Sequence, residues 1–186
     1  MARSDQALAR ARRAYEAAHH AAAARAMALG AALCLVALGL YQTAHATWLV
    51  AALLLGALGT LAWQGGAWRR GALAGVVAGL PPLIVPSFVM ALHGHNMHCA
   101  SCDHGTMWSC VLACFGTSSL VGTVVGYRAS TDTSPRRFAI GAIATAALTG
   151  LLGCGTTGLG GALGVVIGVI AGGVTGWVVA GRTAQA

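Results

Sequence analysis

The chain has 186 residues, of which 57% are apolar and only 8% are charged. A soluble domain carries about a quarter of its residues as charge, so this balance excludes an ordinary water-solvated fold. The net charge of +7 is carried entirely by arginines spread over several loops, with no basic face interleaved with aromatics, which excludes a nucleic-acid partner.

Residues 4–26 predict an Ala-rich polar helix on the cytoplasmic side, capped by Ser4 with Asp5 in its first turn. Arg10, Arg12, Arg13 and Arg25 follow along it, with His19 and His20 between them. Residues 1–26 therefore read as a solvated anchor that fixes orientation or as a docking helix for a cytoplasmic protein. A signal peptide fits poorly, because no small-residue cleavage site precedes the next span.

Six apolar runs come next, at 27–43, 47–64, 71–92, 108–127, 138–153 and 157–180. Each approaches the 17–25 residues, roughly, that a helix needs to cross the hydrocarbon core. The links near His45 and Cys154 are short enough to force antiparallel neighbours. Every arginine falls on one side of this scheme: the N-terminus, Arg69 and Arg70, Arg128, Arg136 and Arg137, and Arg182. By the positive-inside rule, both termini are expected in the cytoplasm. The expected fold is thus an all-α polytopic membrane protein, six transmembrane helices over residues 27–186, N-in and C-in, in a bacterial inner membrane.

Small residues recur along these runs. Gly160, Gly164, Gly168, Gly172 and Gly176 fall every fourth residue in the last, and Gly71, Gly75 and Gly79 do the same in the third. In lipid, such stripes bring helix backbones together. They predict a closely packed Gly-rich bundle, with homo-oligomerisation through the last helix as the other use. Pro81, Pro82 and Pro86 each remove a helical N–H from the third run, which predicts a kink or break there, structural in itself or usable as a hinge.

The chemistry-bearing side chains collect opposite the arginines. His45, His93, His95, His98 and His104 fall on the outer side, as do Cys99, Cys102, Cys110, Cys114 and Cys154, whereas Cys34 lies within a span as a small hydrophobe. Most belong to one periplasmic loop, 93–108, and to the start of the fourth run. Cys99 and Cys102 form a CxxC, and Cys110 and Cys114 a CxxxC whose thiols share one helical face. Four thiolates so spaced, with His95, His98 and His104 able to replace one or two, match a tetrahedral zinc or soft copper(I) site. Two other readings stay open: a redox-active pair drawn from Cys99, Cys102 and Cys154, or static disulfides stapling the loop. No Asp, Glu, Lys, Arg or His lies within a predicted span, which disfavours an ion-coupled transporter. Four acidic residues in the whole chain, with no phosphate-binding Gly loop and no nucleophile elbow, leave little for enzyme chemistry.

The six spans, the short basic N-terminus, the outward cysteines, and Cys154 followed by a Gly-rich last helix together resemble membrane anti-sigma factors of the NrsF type. That resemblance implies a cytoplasmic N-terminal segment holding a sigma factor, and outer cysteines that respond to metal or oxidant. The chain departs from the family at Cys154, where Gly155 stands in place of the usual proline, and in its dense His/Cys loop. Cys99 and Cys102 are also similar to the CxxC of membrane thiol oxidoreductases of the DsbB and VKOR kind. The expected function is accordingly a membrane sensor or regulator, followed by heavy-metal transport or metal delivery, and then by thiol–disulfide exchange.

Overall fold

The computed structural model describes residues 2–41, 45–93, 104–155 and 159–183. They form seven helices: α1 (Ala2–Tyr41), α2 (His45–Gln64), α3 (Gly66–Ala78), α4 (Leu80–His93), α5 (His104–Ser130), α6 (Pro135–Cys154) and α7 (Leu159–Thr183). No strand occurs among the described residues. Four of the helices (α1, α2, α6 and α7) are long and apolar enough to cross a membrane. Large apolar side chains such as Leu35, Leu53, Leu120, Ile167 and Val174 face outward, while the interior is built from Ala, Gly, Ser, Thr, Val and Leu. That inversion of a soluble core is what a lipid environment selects, since burying Leu against Leu gains nothing over burying it against an acyl chain. The chain is a membrane protein.

One element differs from the sequence expectation. The N-terminal segment and the first span are one uninterrupted helix of 40 residues. Alanine dominates its first half and no Gly or Pro interrupts it before Gly30, so nothing ends the helix at the membrane surface. It begins at Ala2, which places Ser4 inside the first turn rather than at the cap. At ~1.5 Å per residue α1 is about 60 Å long, twice the ~30 Å hydrocarbon core.

The third apolar run carries the break that its prolines predict, since it is two helices meeting at Gly79. Pro81 and Pro82 have no N–H for the carbonyls of Val77 and Ala78, and the bonding is carried past them by Gly79 N–H to Gly75 O (2.8 Å) and Leu83 N–H to Gly79 O (3.2 Å). The helical path continues, but two rungs are lost on one side, which is where a helix bends. Pro86 lies within α4.

Packing follows the glycine stripes. Gly71, Gly75 and Gly79 lie against the backbones and side chains of Phe138, Ala142, Thr145 and Thr149, so α3 runs parallel to α6. Gly164, Gly168, Gly172 and Gly176 lie against α5 between Val111 and Thr123, and Gly122 and Gly126 return the contact onto Val169 and Gly173. The α5–α7 pair is likewise parallel and is the most extensive interface in the bundle. Carbonyls stand where a Cβ would go at Gly75, Gly126, Gly172 and Gly176. The last-helix stripe is therefore occupied within the chain. By contrast α1 and α2 are antiparallel, with Met27 against Gly59 and Gly30 against Leu58. Across α3 and α6, Thr145 Oγ1 lies 2.9 Å from Ala72 O and 2.8 Å from Gly141 O, so its one proton is shared between an interhelical and an intrahelical carbonyl.

Candidate functional site

At the end of the bundle away from the arginines, Cys114 on α5 and Cys154 at the last turn of α6 form a disulfide. Their Cα atoms are 6.3 Å apart and the link closes 40 residues of chain. Both sulfurs are buried, the residues being 1% and 0% exposed, among Ala146, Val165 and Val169. The pairing bears on the expected ligand set. Cys114 shares its sulfur with Cys154, and a disulfide sulfur is no thiolate, so in this state Cys114 cannot complete a four-cysteine site with Cys99, Cys102 and Cys110. Burial also shields Cys154 from the attacking thiolate that exchange chemistry needs.

The disulfide sits on the proline helix. Gly153 packs against the backbone of Leu83, a Cβ on Gly150 would meet Pro82 Cγ at 3.2 Å, and Cys154 Sγ lies 3.2 Å from the Pro82 carbonyl oxygen. In a regular helix that carbonyl would accept from the residue four positions on, which is Pro86 and has no N–H. As half of a disulfide, Cys154 has no proton to offer it. As a thiol it would donate at this distance.

The remaining outer candidates are placed less fully. Cys99, Cys102, His95 and His98 lie outside the described residues. His104 opens α5 and Cys110 lies in its second turn. No three His, Cys, Asp or Glu side chains gather among the described residues. Cys34 is a free, buried cysteine in the apolar cluster that joins α1 and α2 to α3, α4 and α6.

The Thr117–Ser119 stretch, which with Cys34 is the one part of the spans that could pass a soft metal, lies in the bundle interior, whereas Thr149 and the ion pair at the base have no counterpart in the sequence reading. Ser118, Ser119 and Thr149 present buried hydroxyl oxygens that have no hydrogen-bond partner. At the arginine end, Arg70 clamps the α5–α6 turn: its Nε donates to Asp132 Oδ2 (3.1 Å) and its Nη2 to Asp132 Oδ1 (3.0 Å). The Ser134 N–H donates to the same carboxylate at 2.9 Å. The hydrogen bonds from Arg70 and then from Ser134 hold the Asp132 carboxyl below the usual carboxylate range, and the same pairing raises Arg70. The available signal was that Asp132 is the sole acidic residue between Asp103 and the C-terminus. Nearby, His19 Nδ1 lies 2.6 Å from the Trp63 carbonyl, where a ring N–H can cap the last turn of α2, and His20 meets the Trp63 ring edge-on at 4.2 Å. The chain turns there through Gly65 and Gly66, whose φ values of 70° and 51° favour glycine.

No protein-family model, no curated protein and no solved structure matches the chain.

Proposed function

We propose that the protein is a six-span inner-membrane sensor, N-in and C-in, whose outer Cys/His segment binds a soft metal ion or reacts with oxidant and signals to a cytoplasmic partner through the first half of α1. The observation that carries this reading is the separation of chemistry along the bundle. A cysteine pair lies beside the proline-interrupted α4 at one end, and a cation-bearing helix about 30 Å longer than the bilayer core stands out at the other. With Cys114 committed to Cys154, the ligand set becomes Cys99, Cys102 and Cys110 with His95, His98 or His104. A zinc or copper(I) site of three thiolates and one imidazole needs no fourth cysteine. The partner at residues 1–26 is a sigma factor if the NrsF-type resemblance holds. Binding counts as signalling only where the two states differ in affinity for that partner.

Metal passage is the second reading, and the buried hydroxyls of Ser118, Ser119 and Thr149 favour it, because orphaned polar atoms inside a bundle are the groups a permeating ion would meet. Thiol–disulfide exchange ranks last, since the Cys114–Cys154 pair is enclosed.

Deleting residues 2–26 separates the first two readings. A sensor loses its transcriptional response to zinc, copper or oxidant while the purified protein keeps its metal, and Cys110→Ser lowers occupancy as far as Cys99→Ser does. If Cys99→Ser abolishes cellular metal accumulation and leaves transcription unchanged, the sensor reading fails.

A further inference from the structure

The arginine end of the bundle carries a furrow that the packing pattern leaves open. Because α3 packs on α6 and α5 packs on α7, α3 and α5 stand side by side with little direct contact. Two hollows lie between them, of about 450 Å³ beside Leu73, Val77 and Arg128, and about 300 Å³ beside Pro81, Thr117 and Leu120. Both are lined by Ala78 and Val124, so they form one continuous groove. Its walls are apolar and outward-facing: Val77, Val124 and Leu120 are 63%, 62% and 72% exposed.

The groove has a polar mouth and a defined length. Along α5 it runs from Arg128 to Thr117, eleven residues or roughly 16 Å of helix. That is about half of the ~30 Å hydrocarbon core, the depth of one leaflet. At the mouth Arg128 lines the groove itself, and Arg69 lies one turn before Leu73 on the same face of α3. Both are exposed, and the two ion pairs among the described residues engage Arg12 and Arg70 instead.

We propose that this α3–α5 groove is a binding site for one anionic phospholipid of the arginine-side leaflet, its phosphate held by Arg69 and Arg128 and an acyl chain laid along Val77, Val124 and Leu120 past the Pro81 bend. Guanidinium groups offer paired donors matched to phosphate oxygens, and a headgroup at the interface draws on each cation there. A zwitterionic lipid gains the apolar contact but little of the charge term. The site rests only on the membrane character of the chain, so it stands or falls apart from the sensor reading.

The test is native mass spectrometry of the full chain released from nanodiscs holding equal phosphatidylglycerol and phosphatidylcholine. Wild type is expected to retain one phosphatidylglycerol in preference to phosphatidylcholine, and Arg69→Gln/Arg128→Gln to lose that preference roughly tenfold or more. Arg10→Gln/Arg13→Gln removes the same charge elsewhere and should retain the lipid as wild type does. Val124→Trp, which fills the groove, should weaken retention with both arginines present. An unchanged thermal midpoint in detergent verifies that each variant is folded. The proposal is overturned by equal retention of the two lipids, by full retention in Arg69→Gln/Arg128→Gln, or by displacement with glycerophosphate, which would mean a free-anion site. A lipid-free dimer split by Val124→Trp would also overturn it, since a second copy would then cover the groove.

Discussion

Single residues define the chemistry of both ends, and they were unequally legible. The cysteine and histidine positions could be read from the chain, but not the partner of Cys114. Local spacing paired it with Cys110, one turn away, whereas the disulfide joins it to Cys154 across 40 residues. Only the docking of α6 between α4 and α5 sets that pairing, and the chain carries no local mark of it. The Arg70–Asp132 clamp was missed for the same reason, its partners being 62 residues apart. It supplies a pH test. Asp132 is lowered in the folded protein, so its contribution to stability is complete above the ordinary carboxylate range and is lost as pH falls through the depressed value. Asp132→Asn is therefore expected to lower the thermal midpoint at neutral pH and to flatten its decline on acidification. Parallel acid profiles for variant and wild type would show that the clamp contributes nothing.

At the scale of elements, the apolar runs 47–64, 108–127, 138–153 and 157–180 end within a few residues of α2, α5, α6 and α7, because apolar composition tracks the helical segments. The break at Gly79 was announced by Pro81 and Pro82. The continuity of α1 was not, since a polarity change at the membrane surface is not a helix stop and alanine propagates through it. The glycine stripes were visible as pattern, yet their use depended on which helix lay opposite. Substituting them separates the two uses. Gly172→Ala places a methyl on the Ser119 carbonyl, where backbone must move, and is expected to destabilise the bundle by about 1–3 kcal/mol. Gly56→Ala meets nothing within 4 Å and should leave the thermal midpoint unchanged or slightly raised, since alanine is the better helix former. If Gly172→Ala keeps its thermal midpoint and instead loses a dimer, the stripe serves a second copy rather than α5.

Across the whole molecule, three parallel or antiparallel helix pairs, α1 with α2, α3 with α6 and α5 with α7, bring all the described arginines of the connecting segments to one end and the disulfide to the other. The sensor reading uses that polarity: sulfur chemistry outside, a protruding cationic helix inside, and the proline-bearing α4 packed against Cys154 between them. Its central claim is that Cys99 and Cys102 face outward and are ligands or oxidant targets. The most direct measurement is labelling of these cysteines in intact spheroplasts with a thiol reagent that cannot cross membranes, after mild reduction, with and without prior zinc or copper(I). The account predicts labelling from outside and protection by the metal. Labelling only after the membrane is broken, or outside labelling unaffected by either metal and by oxidant, would contradict it.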